Sequence, residues 1–200
     1  MGLLEAIILA VLAASTPLLL AATGELVTER SGVLNLGVEG MSLPAGPMIS
    51  LTSALEGVAC IWQADGSERK IPVADFVTGS QRNVLSPGDL LRQIDIPLAA
   101  LKRRSAFRQI SLTPVGRSAA LLIGSVAADG GFVLTVTAST ARPVRLPFTG
   151  IPQAAELRAT ILHGIPDDLY HADVHGKPFW RKHMTLRLAE EIRCELQGTA

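Results

Sequence analysis

Residues 71–110 read IPVADFVTGSQRNVLSPGDLLRQIDIPLAALKRRSAFRQI, and the punctuation of this stretch organises the chain around it. Pro72 fixes its own φ and biases Ile71 towards an extended conformation. Val73, Phe76 and Val77 fall at i, i+3 and i+4, a short helical face that Gly79 can end from a left-handed position. In LSPGDLL, Ser86 is a suitable N-cap, Pro87 occupies a position where a missing N–H costs nothing, and Asp89 has capping-box spacing. One turn of helix is therefore expected to open at Pro87. Ile94 and Ile96 alternate as in a strand, which Pro97 ends.

On the N-terminal side, Val58–Trp62 reads as a buried strand, Ala64–Ser67 as a hairpin turn around Asp65-Gly66, and Glu68–Val73 as the returning strand. On the C-terminal side, Ser105–Leu112, Ala120–Ala127 and Phe132–Thr137 predict three antiparallel strands in a meander, the last two joined at Asp129-Gly130-Gly131. One face of that meander needs a cover. Pro152–Leu162 supplies a helix ended by Gly164, and a second helix starts near Pro178. In the second, Trp180, Met184, Leu188, Ile192 and Leu196 recur at i+4, with Ala189 alongside, a stripe that belongs in a core. Arg187 and Glu191 support the same helix at i, i+4. The fold class expected is α+β: a three-stranded antiparallel sheet packed by helices, preceded by an N-terminal hydrophobic helix.

The order of these segments resembles the flavin-carrying subunit of xanthine dehydrogenase and related molybdenum hydroxylases. The resemblance runs from PGDLL and I-D-I-P through SAFRQISL, ISLTPVGRSAALLIG and VLTVTASTARPVRL to DDLYHADVHGKPFWRKHMTLRLAEEI, about residues 54–197. It implies that 54–100 is the end of an FAD-binding domain and 101–200 the C-terminal domain of the subunit, of the kind found in CO dehydrogenase flavoproteins. It also implies FAD as cofactor, and an iron–sulfur subunit and a molybdopterin subunit as partners. Electrons would pass from the iron–sulfur clusters through FAD to NAD or oxygen. By the same resemblance, Leu91 would pack near the isoalloxazine ring, and Arg108 falls where the family commonly has a lysine beside the flavin. A cation there stabilises negative charge on the reduced ring. The residues alone also allow Leu91 as core and Arg108 as a solvated strand-end cation. Glycine-rich nucleotide loops should precede residue 54; SLPAGPM is the one echo of them, with Pro47 where a polar contact is expected. The chain is thus expected to be a truncated or fused subunit that binds FAD weakly or not at all.

Residues 1–59 carry five acids and one base, whereas the remainder carries thirteen acids and seventeen bases and every aromatic side chain. This asymmetry marks a seam inside a chain of formal net charge +0, which has no global pull towards nucleic acid or anionic lipid. Before the seam, nineteen uncharged residues separate Glu5 from Glu25. They can be read as a transmembrane helix kinked at Pro17, as a secretory signal, or as a buried helix. The run TGELVTERSGVLNLGVEGM resembles the start of membrane permeases of ABC importers for nucleosides and simple sugars, over about residues 3–41. A permease needs several further apolar spans, and the chain shows none. Residues 1–42 therefore form a hydrophobic, permease-like segment and 43–53 a connector, placed on the Pro/Gly content of LPAGPMIS. A membrane-anchored permease fragment is the rival function, and a fusion of adjacent genes a third account.

Other chemistries find little support. Cys60 and Cys194 lack metal-like or CxxC spacing and suggest a reducing compartment and nothing more. The chain is expected to be cytoplasmic, with membrane association through the N-terminal helix as the alternative. GxSxG, GxGxxG and the P-loop pattern are absent. His163, His171, His175 and His183 invite a zinc hypothesis because His171 and His175 are four apart, but no third and fourth ligand is evident, and no metal site is assigned. Lys102-Arg103-Arg104 is expected to be a solvated loop, with docking to a partner subunit as the minor alternative.

Overall fold

The computed structural model describes residues 45–80, 82–113 and 117–198. The hydrophobic, permease-like segment expected over residues 1–42 lies outside the described residues. Among the described residues, no helix is long and apolar enough to cross a membrane.

The described chain opens with helix α1 (Ala45–Ala54), over residues whose proline and glycine content reads as a connector. Pro47 stands in its first turn, where it displaces no helical hydrogen bond, and this explains why proline and helix coexist there. Strands β1 (Val58–Trp62) and β2 (Glu68–Pro72) follow as the expected hairpin, with Gly66 at φ 84° in its turn. Helix α2 (Val73–Phe76) is a single turn, succeeded by the short strands β3 (Val77–Gly79) and β4 (Arg82–Asn83). The helix ends with Val77 extended, so Gly79 does not terminate it from a left-handed position.

The expected helix at Pro87 is a turn instead. The Asp89 N–H donates to the Ser86 carbonyl at 3.0 Å, with Gly88 at φ 90°. Proline followed by a left-handed glycine is the type II turn preference, which here overrides the capping box. Asp89 still receives the Ser86 N–H, at 3.0 Å, and its other oxygen receives the Ala64 N–H at 3.3 Å. Strand β5 (Leu90–Asp95) then returns along β1, so that β1 is central in a three-stranded antiparallel sheet ordered β2-β1-β5. Ala59 and Ile61 face a small core with Val73 and Phe76, against which Ile49, Leu91 and Ile94 pack.

Helix α3 (Leu98–Leu101) leads into β6 (Arg104–Ser111), β7 (Ser118–Val126) and β8 (Phe132–Thr137), the expected meander. A fourth strand, β9 (Val144–Phe148), extends it to the order β6-β7-β8-β9. Pro147 lies within β9 and is tolerated there because β9 is an edge, where a missing donor costs little. Helix α4 (Ala154–Gly164), a 3-10 turn (Asp167–Leu169) and helix α5 (Pro178–Gln197) complete the chain. Leu122, Phe132, Leu134, Val136, Leu157, Ile161, Met184, Leu188, Ile192 and Leu196 share the large core, so the expected stripe of α5 packs inward.

The sheet is covered on both faces. Ser50 on α1 meets Thr137 at 2.6 Å between hydroxyl oxygens, and Thr137 donates to the Leu121 carbonyl at 3.0 Å. Burial on both sides explains why Ala119, Ala120, Leu121 and Leu122 are consecutively buried in β7. Gly124 allows α5 to approach the sheet: a Cβ there would lie 2.3 Å from Ile192 Cγ2.

Candidate functional site

The two residues implied as flavin contacts stand on different sheets. Leu91 pairs with Ile61 across β1 and β5 and is half-buried against the small core. Arg108 is on β6, on the same side of the strand as Arg104 and Ala106. All three of its guanidinium nitrogens are engaged. Nε bonds Glu191 at 3.2 Å, one terminal nitrogen lies 2.6 Å from Glu195, and the other donates to the Phe107 carbonyl at 2.9 Å. These carboxylates push the already high Arg108 pKa higher still. Arg187 adds a second cation to Glu191, at 3.1 Å.

Four residues earlier, Arg104 donates to the Leu196 carbonyl at 2.5 Å, near the end of α5. Gly198, at φ 80°, closes that helix with its N–H on the Glu195 carbonyl. Strand β6 thus grips the C-terminal half of α5 with two arginines, one on a free helix-end carbonyl and one on two carboxylates. Arg108 thus stands in a partly exposed ion-pair cluster, with 32% of its side chain exposed. The basic run also differs from the expected solvated loop: Arg103 pairs with Glu56 at 2.9 Å and Arg104 holds the Leu196 carbonyl, while Lys102 is exposed.

A dense polar cluster surrounds Arg181, whose side chain is 1% exposed. Its Nε donates to the Gly176 carbonyl at 3.1 Å, and one terminal nitrogen serves the carbonyls of Ala119 (2.5 Å) and Ala138 (2.6 Å). The other terminal nitrogen meets Asp173 at 2.5 Å. Asp173 also accepts the His175 N–H at 2.8 Å and faces His171 Nε2 at 3.4 Å. Burial pushes the Asp173 carboxyl up, but the His175 N–H, the Arg181 guanidinium and the His171 charge outweigh it. The net result lies below the usual aspartate range. Burial also pushes the Tyr170 phenol up to about 12.

This cluster ties the 165–177 loop, β7 and the end of β8 to the first turn of α5. Every donor of Arg181 serves a carbonyl or a carboxylate, which makes it a structural hub rather than a reacting group. Sequence reasoning missed it because Arg181 stands beside the apolar stripe instead of in it. The available signal was the row Arg181, Thr185, Ala189, Arg193, four apart, in which two cations accompany small residues that are buried. His171 and His175 are brought to one loop, whereas His163 and His183 are exposed on α4 and α5. Among the described residues, no group of three or more His, Cys, Asp or Glu side chains could hold a metal ion. Cys60 is fully buried, with its thiol 3.1 Å from Asp95; burial first and that carboxylate second push its pKa up, away from a reactive thiolate.

No family model matches the chain. Among curated proteins, one described as a glucose ABC transporter permease of Haloferax volcanii is 73% identical over 30 residues, 15% of this chain and 9% of that protein. Solved structures match far more of it. A Cu,Mo-CO dehydrogenase in its cyanide-inactivated form has a TM-score of 0.60 at 15% identity, over 76% of this chain and 57% of that one. The CO dehydrogenase of Hydrogenophaga pseudoflava, lacking the Mo-pyranopterin moiety of its molybdenum cofactor, gives 0.56 at 14%, over 72% and 53%. Quinoline 2-oxidoreductase of Pseudomonas putida 86 gives 0.55 at 16%, over 76% and 56%. The chain spans just over half the length of the solved chains it matches. The likeness is one of fold: antiparallel sheets with helices packed on them, as found in chains of molybdenum hydroxylases.

Proposed function

We propose that residues 45–198 are the C-terminal part of the flavoprotein subunit of a cytoplasmic molybdenum hydroxylase, and that in this chain they act as a scaffold. The observation that carries the proposal is that the likeness of sequence and the likeness of fold point the same way. The sequence resembles such subunits over about residues 54–197, and the fold is similar to molybdenum hydroxylase chains over about three quarters of its length. In this reading the intact assembly passes electrons from iron–sulfur clusters to FAD and on to NAD or oxygen. An iron–sulfur subunit and a molybdopterin subunit are its partners, and the xanthine dehydrogenase type is the finer assignment.

FAD fits the described residues poorly. The Arg108 guanidinium is spent on Glu191, Glu195 and a carbonyl, and Leu91 lies on the other sheet in a small core. Arg108 would have to release two carboxylates before it could serve a flavin. The chain therefore binds FAD weakly or not at all when alone, and no electron-transfer step is assigned to its residues. Flavin absorbance of the purified, FAD-supplemented and desalted chain tests this. A small fraction of one flavin per chain is expected, and stoichiometric flavin would refute the scaffold reading.

The 30-residue identity to a permease favours a second reading, a membrane-anchored fragment of a transport protein. It concerns 15% of the chain. Fractionation separates the two: extraction that requires detergent supports the anchor, and recovery without detergent supports the first reading.

A further inference from the structure

Helix α1 ends in a motif that normally requires glycine. The Gly57 N–H donates to the Thr52 carbonyl at 2.7 Å and the Glu56 N–H to the Ser53 carbonyl at 3.2 Å. This is the paired bonding of a Schellman cap, whose left-handed position is held by Glu56 at φ 57°. An L side chain is disfavoured there. Glycine is present one residue later, where a Cβ would approach the Thr52 carbonyl and Ile94 to 2.9 Å. The strained position is therefore occupied by a carboxylate although glycine suits it better, which points to a use for the side chain.

That side chain makes two ion pairs, with Arg103 at 2.9 Å and Arg145 at 2.7 Å. Arg103 lies between α3 and β6, and Arg145 on β9. The three-stranded sheet is connected to the rest of the described chain at residues 55–57 and at residues 96–103. Glu56 stands in the first connection and grips the second, while also holding an edge strand of the four-stranded sheet. Arg103 and Arg145 are the charged groups that face it from the elements packed against it. Each has a further buried N–H without a hydrogen-bond partner, so that losing the carboxylate would leave two adjacent cations uncompensated.

We propose that Glu56 is a latch that closes the neck between the two sheets, so that the three-stranded sheet opens as a unit when it is released. The four-stranded sheet and its helices stay closed in that opening. At neutral pH the latch is engaged. Burial pushes the carboxyl up, but hydrogen bonds and charge from Arg145 and Arg103 bring it below the usual glutamate range.

Hydrogen exchange of the full chain, in wild type, Glu56→Gln and Glu56→Gly, tests the latch. Both variants should speed exchange of β1, β2 and β5 amides about tenfold, with β7 and β8 unchanged. Glu56→Gly removes the strain along with the charge; higher protection of β1 in that variant would show the charge to be dispensable and overturn the proposal. Equal loss in both sheets, or no change in Glu56→Gln, would overturn it as well. Arg103→Gln should reproduce the local loss and add little to Glu56→Gln, whereas full additivity would contradict a shared latch.

Discussion

Arg181 and Asp173 meet at 2.5 Å inside the domain, with 1% and 21% of their side chains exposed. Around that pair converge the carbonyls of Ala119, Ala138 and Gly176 and the N–H of His175. The four-stranded sheet and α5 are thus stapled through one guanidinium that reaches three separate segments of chain.

Removing that guanidinium should be costly. Arg181→Met leaves Asp173 and three carbonyls without their donor, and breaking a buried pair of this kind costs about 3–5 kcal/mol. Thermal melting should fall by roughly 10 °C or more for a domain of this size. Arg181→Lys keeps the charge but cannot reach all four acceptors, so it should lose part of that stability. A melting temperature unchanged in Arg181→Met would remove the hub from the account.

Acid should weaken the same pair. The folded-state pKa of Asp173 is lowered, so its contribution is complete above the ordinary aspartate pKa, about 3.9, and is lost as pH falls through the lower folded value. The stability gap between wild type and Asp173→Asn should be constant from neutral pH down to about pH 5 and shrink below about pH 4. Denaturant melts across that range check it. A gap that persists undiminished at the acid end would contradict the ion-pair assignment.

Arg108 has a structural prediction distinct from a flavin one. Its pairs with Glu191 and Glu195 are half-exposed, so Arg108→Ala should destabilise by about 1 kcal/mol, with less effect at high salt. Flavin retention by the chain should not change. Salt-independent destabilisation, or flavin binding that depends on Arg108, would contradict the clamp.

The approach of α5 to β7 at Gly124 gives a steric prediction. Gly124→Ala sets a methyl 2.3 Å from Ile192 Cγ2, and overpacking of that kind costs about 1–3 kcal/mol. Ile192→Ala removes the obstructing carbon, so the double variant should cost less than the sum of the singles. Strict additivity in denaturant melts would mean that the strain is relieved elsewhere.

Much of the fold was legible because the signals were local. Asp65-Gly66 and Asp129-Gly130 mark hairpins, and the i+4 stripe of α5 marks the core face. What was hidden depended on context: a strand's place in its sheet, a proline's place in its helix, a competing turn, or a distant partner. The β9 strand is permitted by its edge position despite Pro147, and α1 by a proline confined to its first turn. Pro87-Gly88 chose a turn over a cap because glycine can adopt the left-handed φ that the turn needs. The site was less legible than the fold. The resemblance implied Leu91 and Arg108, but charge type alone could not reveal that Glu191 and Glu195 sit opposite Arg108 on a helix more than eighty residues away.

The most direct test of the central claim is the metal and subunit content of the affinity-tagged chain purified from the cells that make it. The account predicts a detergent-independent complex containing iron and molybdenum, with partner subunits carrying the iron–sulfur clusters and the molybdopterin. Recovery of the chain in membranes with transport proteins and without either metal would contradict it.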